Sequence, residues 1–137
     1  MKLKNKEVVV RQLDVKPDDR GWLAEILRSE SLSTPHEFGQ LFMTAADIGA
    51  VKGNHYHTRK HEWFCAVQGE GSIVVENNET GERDEIPMDE NNLVCVAVPP
   101  NHTHALKNSG TKPLLVLIYI SEAYNPEDPD TFKKKIA

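Results

Sequence analysis

Two histidines and a glutamate lie close together in this sequence, with spacings that suit a metal site. His55 and His57 are two residues apart, so both imidazoles leave the same face if they lie on a β-strand. A polar turn at 58–60 follows, and the run 61–68 alternates again, with Glu62 near its start. If the turn folds the two strands side by side, Glu62 comes to lie beside both imidazoles. Two neutral imidazoles and a carboxylate at one point are groups that bind a divalent cation.

The second half of the chain offers a fourth ligand. Residues 99–108 follow one apolar run and precede another, which indicates a turn leading into a strand, and His104 lies within it. Three imidazole nitrogens and one carboxylate oxygen suit one divalent first-row ion, with room left for water or substrate. Zinc is the expected ion, and iron, manganese or nickel would also fit, because affinity order and supply decide between them. The alternative is that the histidines contact a substrate directly without a metal, but buried polar groups are costly to leave unpaired.

These residues resemble the two metal motifs of the cupin family. The first motif matches at every fixed position, and the second has two departures. Asn101 stands where the family usually has glycine, and Leu93 stands where the opening glycine would be. Asn tolerates a positive φ, so the first departure is a small one. The resemblance implies metal ligands at four positions. These are His55, His57, Glu62 and His104, framed by Gly49 and Gly69 in the first motif and by Pro99 and Asn108 in the second.

The pattern of short apolar runs predicts an all-β fold. Many such runs are separated by Gly, Pro, Asn and Asp, with no long helical period, which favours a sandwich or barrel. A cupin is a double-stranded β-helix jelly roll, so the resemblance implies the same fold. We predict a single cupin domain over 1–137, with N-terminal strands in 1–35, the jelly roll in about 36–121 and a polar tail at 122–137. The predicted strands lie near Val8–Leu13, Trp22–Arg28, Gly39–Ala45, Lys52–His57, Glu62–Gln68, Gly71–Glu76, Arg83–Ile86, Leu93–Val98, Thr103–Asn108 and Leu114–Ser121.

Composition excludes several classes of partner. The formal charge of −5 and a pI near 5.7 argue against nucleic acid or an anionic membrane as the main partner. The longest apolar run, Leu114–Ile120, is far short of the roughly 20 residues of a membrane-spanning helix. Two cysteines, Cys65 and Cys95, and no secretory signal pattern favour a reducing compartment. We therefore expect a cytoplasmic protein.

Several predicted strands are apolar on both faces. Trp63, Cys65 and Val67 oppose the face of Glu62, and Leu114–Ile120 has almost no polar interruption. A sandwich buries one such face against its other sheet, and burial of the second face suggests another chain. We predict a homodimer formed by sheet packing or strand exchange. The alternative is that loops of the chain itself cover the outer face.

Residues outside the metal motifs carry a closer resemblance. They look like the C-terminal cupin domain of the bifunctional nucleotide-sugar enzymes of capsular polysaccharide synthesis. More distantly they are similar to the dTDP-4-keto-6-deoxyhexose epimerases and 3,4-ketoisomerases. The sequence contains no reductase domain like that of the bifunctional enzymes, which leaves the substrate open. The matching residues are Asp19 to Leu23 with Glu25, Phe38 to Gln40, Gly53 to His57, Glu122, Asn125, Pro126 and Pro129 to Thr131.

This resemblance implies an isomerase that epimerises a carbon beside the ketone of a nucleotide-linked 4-keto-6-deoxy sugar. Removing the acidic proton at that carbon places negative charge on the ketone oxygen, and a metal can stabilise the enolate as a Lewis acid. The same site would admit a 3,4-ketoisomerase. The alternatives from other classes are a non-catalytic cupin that binds a sugar or small acid, as a sensor or accessory subunit, and a metal-dependent dioxygenase.

The acid and base are the least determined part of the sequence-based prediction. Candidates are a metal-bound hydroxide, His102, Tyr119 and Lys52, because a base must reach its proton within hydrogen-bond distance. Tyr56 should point away from the metal if its strand is regular. Each side chain also has an ordinary structural interpretation. His102 would be a surface or supporting histidine, Tyr119 an aromatic residue of the barrel wall, and Lys52 a solvated charge at a sheet edge.

Three further residues are candidates for substrate binding. Arg20 presents a planar guanidinium that suits diphosphate oxygens, although a salt bridge with a neighbouring carboxylate is an equal alternative. Glu25 belongs to the same resembling segment. Gln40 could donate or accept a hydrogen bond with a sugar hydroxyl from the inner face of a sheet, the alternative being a satisfied interior amide.

Overall fold

Alternating burial along the strands makes two sheets amphipathic, and their apolar faces pack against each other. The computed structural model describes residues 1–32 and 38–137. One short 3-10 turn, Ser29–Ser31, accompanies the strands in this part of the chain. The strands are β1 (Val9–Gln12), β2 (Val15–Asp18), β3 (Gly21–Ala24), β4 (Gln40–Ala46), β5 (Val51–Tyr56), β6 (Glu62–Gln68), β7 (Glu70–Asn77), β8 (Arg83–Asp89), β9 (Val94–Val98), β10 (His102–Asn108), β11 (Leu114–Ile120) and β12 (Phe132–Lys133).

The strands form two five-stranded antiparallel sheets and one hairpin. The first sheet has the order β1-β9-β6-β11-β4, and the second has the order β12-β5-β10-β7-β8. Strands β2 and β3 form the separate hairpin. Successive strands alternate between the two sheets for much of the chain, as in a jelly roll. The predicted all-β jelly roll is confirmed.

The core fills the space between the two sheets. Phe64 and Val116 from the first sheet and Ile73 and Val75 from the second are almost completely buried there. Such residues are β-branched or aromatic, which suits a pleated, buried surface. Polar side chains enter the same interior near one end of the barrel, where the candidate site lies.

Three residues with positive φ shape the strands that carry the histidines, namely Gly53, Asn54 and Asn101. Gly53 has φ +97, and a Cβ there would lie 2.9 Å from the carbonyl oxygen of His104. The two strands approach closely where the register between β10 and β5 shifts, just after His104. On one side of this shift His104 pairs directly with His55. Asn101, which replaces the glycine of the second cupin motif, has φ +60, and its N–H donates to the carbonyl of His57 at 2.6 Å.

The structure departs from the predicted strands at both ends of the chain. The strand predicted over Trp22–Arg28 ends at Ala24, and β2 was not predicted because residues 16–19 have the composition of a turn. Here Pro17 lies in a two-stranded hairpin, where a missing donor is tolerated. The polar C-terminal tail, for which no strand was predicted, pairs with β5 through β12. The predicted jelly-roll boundary at residue 36 lies outside the described residues.

The outer face of the first sheet is partly covered by the chain itself. Residues 24–32 pack over Trp63, Cys65 and Cys95, as the alternative to a dimer predicts. The edge strand β4 is less covered, and Leu41 and Met43 are 59% and 60% exposed. No helix in the described ranges is long and apolar enough to span a membrane.

Candidate metal and substrate site

Both sheets supply donor groups to one point in the interior. His55 lies on β5 and His104 on β10, at the paired position, while Glu62 begins β6 in the opposite sheet. His57 lies just past β5, in the turn that crosses between the sheets. The expectation that β5 and β6 lie side by side is wrong, because the two strands belong to opposite sheets and face each other across the interior. Glu62 nevertheless reaches the histidines as predicted.

The four predicted metal ligands converge closely. One ring nitrogen from each of His55, His57 and His104 lies within 4.8 Å of the others. Glu62 Oε1 lies 2.9 Å from Nε2 of His57 and 3.2 Å from Nε2 of His104. All four groups are buried or half-buried. A cation between them would be enclosed by three nitrogens and one oxygen, which is a donor set that suits zinc and other first-row ions.

Hydrogen bonds to backbone carbonyls define which nitrogens face the centre. Nδ1 of His57 lies 2.7 Å from the carbonyl oxygen of Asp130, and Nδ1 of His104 lies 3.3 Å from that of His102. A carbonyl can only accept, so each Nδ1 carries a proton, and in its neutral form each ring directs an Nε2 lone pair inward. Glu62 Oε1, which these lone pairs face, has no hydrogen-bond partner among the described residues. Lone pairs that face a carboxylate oxygen repel it unless a cation or a proton lies between them. The arrangement of these residues therefore fits a metal ion.

The pKa values of these groups follow from burial and mutual charge. Burial, together with the neighbouring His104, lowers the pKa of His55 to about 4. Burial opposes ionisation of Glu62 and protonation of His57. The imidazoles nonetheless hold the pKa of Glu62 below its usual value, and Glu62 holds the pKa of His57 above it. Burial also lowers the pKa of His104. An ionised carboxylate beside neutral His55 and His104 rings is the protonation state that metal binding requires, and binding of a cation would displace any second proton from His57.

A cavity of about 370 Å³ opens onto the four ligands. Its walls are mostly apolar, with Phe64, Leu106 and Ile118 among them, and a small number of polar groups. A volume of this size accommodates a small ligand such as a sugar ring. The polar and titratable side chains of the wall, apart from the four ligands, are Gln40, Thr44, Lys52, Lys60, Tyr124 and Thr131.

Gln40 and Lys52 lie in the cavity wall, as their candidate roles require. The Gln40 side-chain oxygen accepts a hydrogen bond from the backbone N–H of Tyr124 at 2.9 Å, and its amide nitrogen has no hydrogen-bond acceptor among the described residues. Lys52 Nζ donates to Thr44 Oγ1 at 2.6 Å and to the carbonyl of Ala45 at 3.2 Å. The structure therefore places Lys52 at the exposed edge of the cavity.

Tyr119 and His102 do not line the cavity. Ile118 and Ile120 point inward from β11, so Tyr119 points to the outer face, where its hydroxyl accepts a hydrogen bond from Gly39 N at 3.0 Å. His102 is buried beside Glu7, with Nε2 3.7 Å from the carboxylate and Nδ1 2.8 Å from the carbonyl of Pro100. The structure thus separates both from the metal ligands' cavity.

Arg20 and Glu25 lie away from the cavity as well. Arg20 is at the tip of the β2–β3 hairpin, where its guanidinium contacts Asp18 at 2.9 Å and its side chain is 86% exposed. Glu25 is exposed and lies 3.3 Å from Arg28. Tyr56, expected to point away from the metal, is absent from the described cavity lining and stacks on Phe132 of β12.

Sequence reasoning missed several residues of the cavity wall, and two of them, Lys60 and Tyr124, are titratable. Lys60 was assigned to a polar turn, but it is 2% exposed and its Nζ donates to the carbonyl of Pro129 at 3.1 Å. Within the described residues no carboxylate lies within 4 Å of this Nζ, so the carbonyl of Pro129 and the more distant charge of Glu122 take the place of a direct ion pair there. Tyr124 lies beside it, with its ring centroid 5.8 Å from Nζ. The sequence did contain one indication that Tyr124 belongs to the site. It lies between Glu122 and Asn125, which both belong to the family resemblance.

The family model described as "Polysaccharide biosynthesis C-terminal domain" matches residues 16–132. The chain belongs to this family. The spore coat polysaccharide biosynthesis protein SpsL of Bacillus subtilis is 30% identical over 128 residues, which cover 90% of this chain and 84% of that protein. A probable low-salt glycan biosynthesis epimerase of Haloferax volcanii is also 30% identical, over 90% of this chain and 83% of its own length.

Solved structures agree with the family assignment and the fold. The capsular polysaccharide assembling protein CapF of Staphylococcus aureus is 30% identical with a TM-score of 0.70, over 90% of this chain. The chain spans only 34% of the CapF chain. The 3'-monoepimerase ChmJ of Streptomyces bikiniensis, solved in complex with dTDP-quinovose, has a TM-score of 0.84 at 20% identity, over 96% of this chain and 71% of its own. At that identity the likeness to ChmJ concerns the fold.

Proposed function

We propose that this chain is a metal-binding isomerase that epimerises a carbon next to the ketone of a nucleotide-linked 4-keto-6-deoxy sugar in polysaccharide biosynthesis. The observation that carries the proposal is the convergence of three imidazoles and the Glu62 carboxylate at one end of a largely apolar cavity. The family and the Haloferax epimerase support the class of reaction.

The residues that would hold the ion are His55, His57, Glu62 and His104. When bound, a divalent cation, with zinc expected first, supplies a Lewis acid that stabilises negative charge on a ketone oxygen. The apolar wall formed by Phe64, Leu106 and Ile118 excludes water around that charge, which strengthens every electrostatic interaction within the cavity.

Lys60 supplies buried positive charge in the cavity wall, whereas Lys52 lies at its exposed edge. The buried ammonium group has three donors, of which one reaches the carbonyl of Pro129, so the others can donate to an oxygen of the substrate. A fixed cation in a low-dielectric wall favours the substrate state in which the oxygen carries negative charge. We therefore assign Lys60 to substrate binding, with Gln40 as a further hydrogen-bonding group.

The reaction itself moves one proton. The proton on the carbon beside the carbonyl leaves, and its electron pair moves to the ketone oxygen. Return of a proton to the opposite face of the same carbon restores the ketone with inverted configuration. Lys52, Lys60 and Tyr124 are the titratable side chains, other than the metal ligands, in the described wall from which a proton can be exchanged with the substrate.

Two further predictions belong to this proposal. The exposed apolar side chains of β4, Leu41 and Met43, support a homodimer in which a second copy covers the edge of the first sheet. Sedimentation that shows a monomer at micromolar concentration would contradict the homodimer.

The cytoplasmic location of the protein also stays a prediction.

The deciding experiment is hydrogen–deuterium exchange in heavy water with a panel of nucleotide-linked 4-keto-6-deoxy sugars. We expect deuterium at the carbon beside the ketone with wild-type protein and none with Glu62→Gln. Movement of the carbonyl along the ring would support the 3,4-ketoisomerase. Saturable binding without exchange would contradict epimerisation and support a sugar-binding cupin, and oxygen consumption would support a dioxygenase.

A matched pair of variants tests the role of Lys60. Lys60→Met keeps the aliphatic length and removes the charge, whereas Lys60→Arg keeps the charge. We expect Lys60→Met to lower the exchange rate by about 100-fold, in the range typical of a lost charge-stabilising donor. Full exchange by Lys60→Met, with metal content equal to wild type, would contradict the assignment.

A further inference from the structure

The C-terminal segment 122–137, which we call the C-terminal strap, crosses the mouth of the site and contacts the turn that follows β5. Glu122 at its start lies 2.7 Å from the Arg59 guanidinium, and the carbonyl of Pro129 accepts the hydrogen bond from Lys60. Tyr124 and Thr131 of the strap form part of the cavity wall. The strap therefore belongs to the site and is not a separate tail.

Asp130 is the point at which the strap meets a metal ligand. Its backbone carbonyl is 2.7 Å from Nδ1 of His57, and its buried carboxylate accepts hydrogen bonds from the two residues that follow this histidine. Thr58 contributes its N–H at 3.0 Å and its hydroxyl at 2.5 Å, and Arg59 contributes its N–H at 2.9 Å. Asp130 thus binds the turn from both sides, through the carboxylate and through the carbonyl.

The backbone of Asp130 explains why this geometry needs a particular residue. Asp130 has φ +47, in the left-handed region that most side chains avoid and that Asp and Asn tolerate. The carboxylate's hydrogen bonds to Thr58 and Arg59 hold the residue in that conformation, which directs the carbonyl at the imidazole.

The strap is fastened on its far side by Asn54, two residues before Tyr56 and on the same strand as His55. Asn54 Oδ1 accepts from the N–H groups of Ile136 and Ala137 at 2.8 and 3.0 Å, and its side-chain nitrogen donates to the carbonyl of Ala137. The last residues of the chain are therefore bound to β5, and Asp130 lies between two fixed points.

We propose that Asp130 is a positioning residue for His57: its carboxylate holds the strap against the turn, so that its carbonyl fixes the His57 ring with Nε2 directed at Glu62. This inference rests on the proposed metal function for its consequence, because a freely rotating His57 would bind a cation more weakly. Partners that orient a ligand histidine typically contribute about 10–100-fold to metal affinity.

The test uses the full chain with Co(II) as the probe, measured by competition with a chromophoric chelator and by the visible absorption of the bound ion. We expect Asp130→Ala to weaken Co(II) binding by about 10–100-fold and to change the spectrum. Asp130→Asn keeps one acceptor oxygen and tolerates the same φ, so it should restore most of the affinity. The matched control is Glu127→Ala, which removes an exposed carboxylate of the strap and should leave binding unchanged.

Asp130→Gly separates the carboxylate from the backbone conformation. Glycine adopts φ +47 freely but has no side-chain acceptor for the N–H groups of Thr58 and Arg59, so we expect it to behave as Asp130→Ala does. Wild-type affinity in Asp130→Gly or in Asp130→Ala would overturn the proposal. If circular dichroism shows that Asp130→Ala does not fold, Thr58→Val tests the proposal instead. This variant removes only the hydroxyl that donates to the Asp130 carboxylate. It should weaken binding in the same direction, and unchanged affinity would overturn the proposal.

A readout without metal distinguishes failure of this inference from failure of the proposed function. In ¹⁵N spectra of the metal-free protein, the His57 ring should show a single Nδ1–H tautomer in wild type and in Asp130→Asn. Averaged tautomers are expected in Asp130→Ala. If the wild type binds no Co(II), the metal function fails and these spectra still decide the role of Asp130. Identical spectra in wild type and Asp130→Ala would overturn it.

Discussion

The two faces of strand β6 present opposite environments from a single run of residues. Glu62 and Phe64 point into the cavity, where a carboxylate meets imidazoles from the other sheet. Trp63 and Cys65, their immediate neighbours, point outward and are covered by residues 24–32. Both faces are almost fully buried, so burial alone does not mark the site. What distinguishes the inner face is that polar side chains from β5 and β10 converge on it.

This difference shows how one strand can line the candidate site on one face and pack against a segment of its own chain on the other. On the outer face, each apolar residue contributes free energy by contact with a segment of its own chain. On the inner face, a costly group such as the buried Glu62 is retained because other groups compensate it. We therefore expect substitutions on the inner face to affect ligand binding and exchange, and those on the outer face to affect the free energy of unfolding.

The largest effect is expected from Glu62→Gln on the inner face. The amide cannot supply a negative charge to a cation, so metal affinity should fall by more than the roughly 100-fold typical of lost supporting contacts. Metal analysis of the purified protein by mass spectrometry checks this, with Trp63→Phe on the opposite face as the control. Equal metal content in Glu62→Gln and wild type would contradict the site.

The outer face should respond in the opposite way to Trp63→Ala. Removing this buried indole leaves a cavity under residues 24–32, and such truncations cost about 3–5 kcal/mol of unfolding free energy. Urea denaturation measures the loss. The protein that remains folded should bind metal as wild type does. A loss of metal with no loss of stability would show that the two faces are not separate.

A smaller effect is expected from Tyr119→Phe, which tests whether this tyrosine takes part in chemistry. Its hydroxyl hydrogen-bonds to Gly39 N on the outer face, and loss of that bond should cost about 1 kcal/mol of stability. Proton exchange on the substrate should continue at the wild-type rate. A tenfold slower exchange, measured by the same heavy-water assay, would return Tyr119 to the list of catalytic residues.

The smallest change is expected from treating the native protein with iodoacetamide at pH 8. Burial raises the pKa of Cys65 to about 11 and also raises that of Cys95, so few thiolates are present, and the thiolate is the reacting form. Mass spectrometry should show neither thiol modified in the native protein and both modified in urea. Rapid labelling without urea would mean that residues 24–32 open readily from the outer face.

The sequence predicted the strands best where apolar and polar residues alternate between turn residues. The bounds predicted for β6 are those observed, and Asn101 adopts the positive φ expected of its motif position. The site was predictable for the same reason, because His55 and His57 share a face at a spacing of two, and the second motif brings His104. Alternation is a local property, so it can be recognised in a short stretch of sequence without knowledge of the fold.

Prediction was weakest where a run had no alternation or where its partners lay far away in the chain. Leu114–Ile120 is apolar throughout, so nothing in the sequence indicated that Tyr119 would face outward. Lys60 looked like a turn residue because its burial depends on Pro129, which is 69 residues away. Strand β12 forms only by pairing with β5, and no short segment at the end of the chain contains that partner.

The sequence by itself therefore determined the all-β jelly roll, the family and the identity of the four donor groups. The fold and the donor groups follow from local alternation, turn chemistry and residue spacing, whereas the family follows from the resemblance of the motifs to known ones. The tertiary structure alone decided that β5 and β6 face each other from opposite sheets, that Tyr119 and His102 stand outside the cavity, and that the tail closes the site at Asp130. Each of those outcomes depends on contacts between residues distant in the chain, and such contacts have no signature in either segment taken alone.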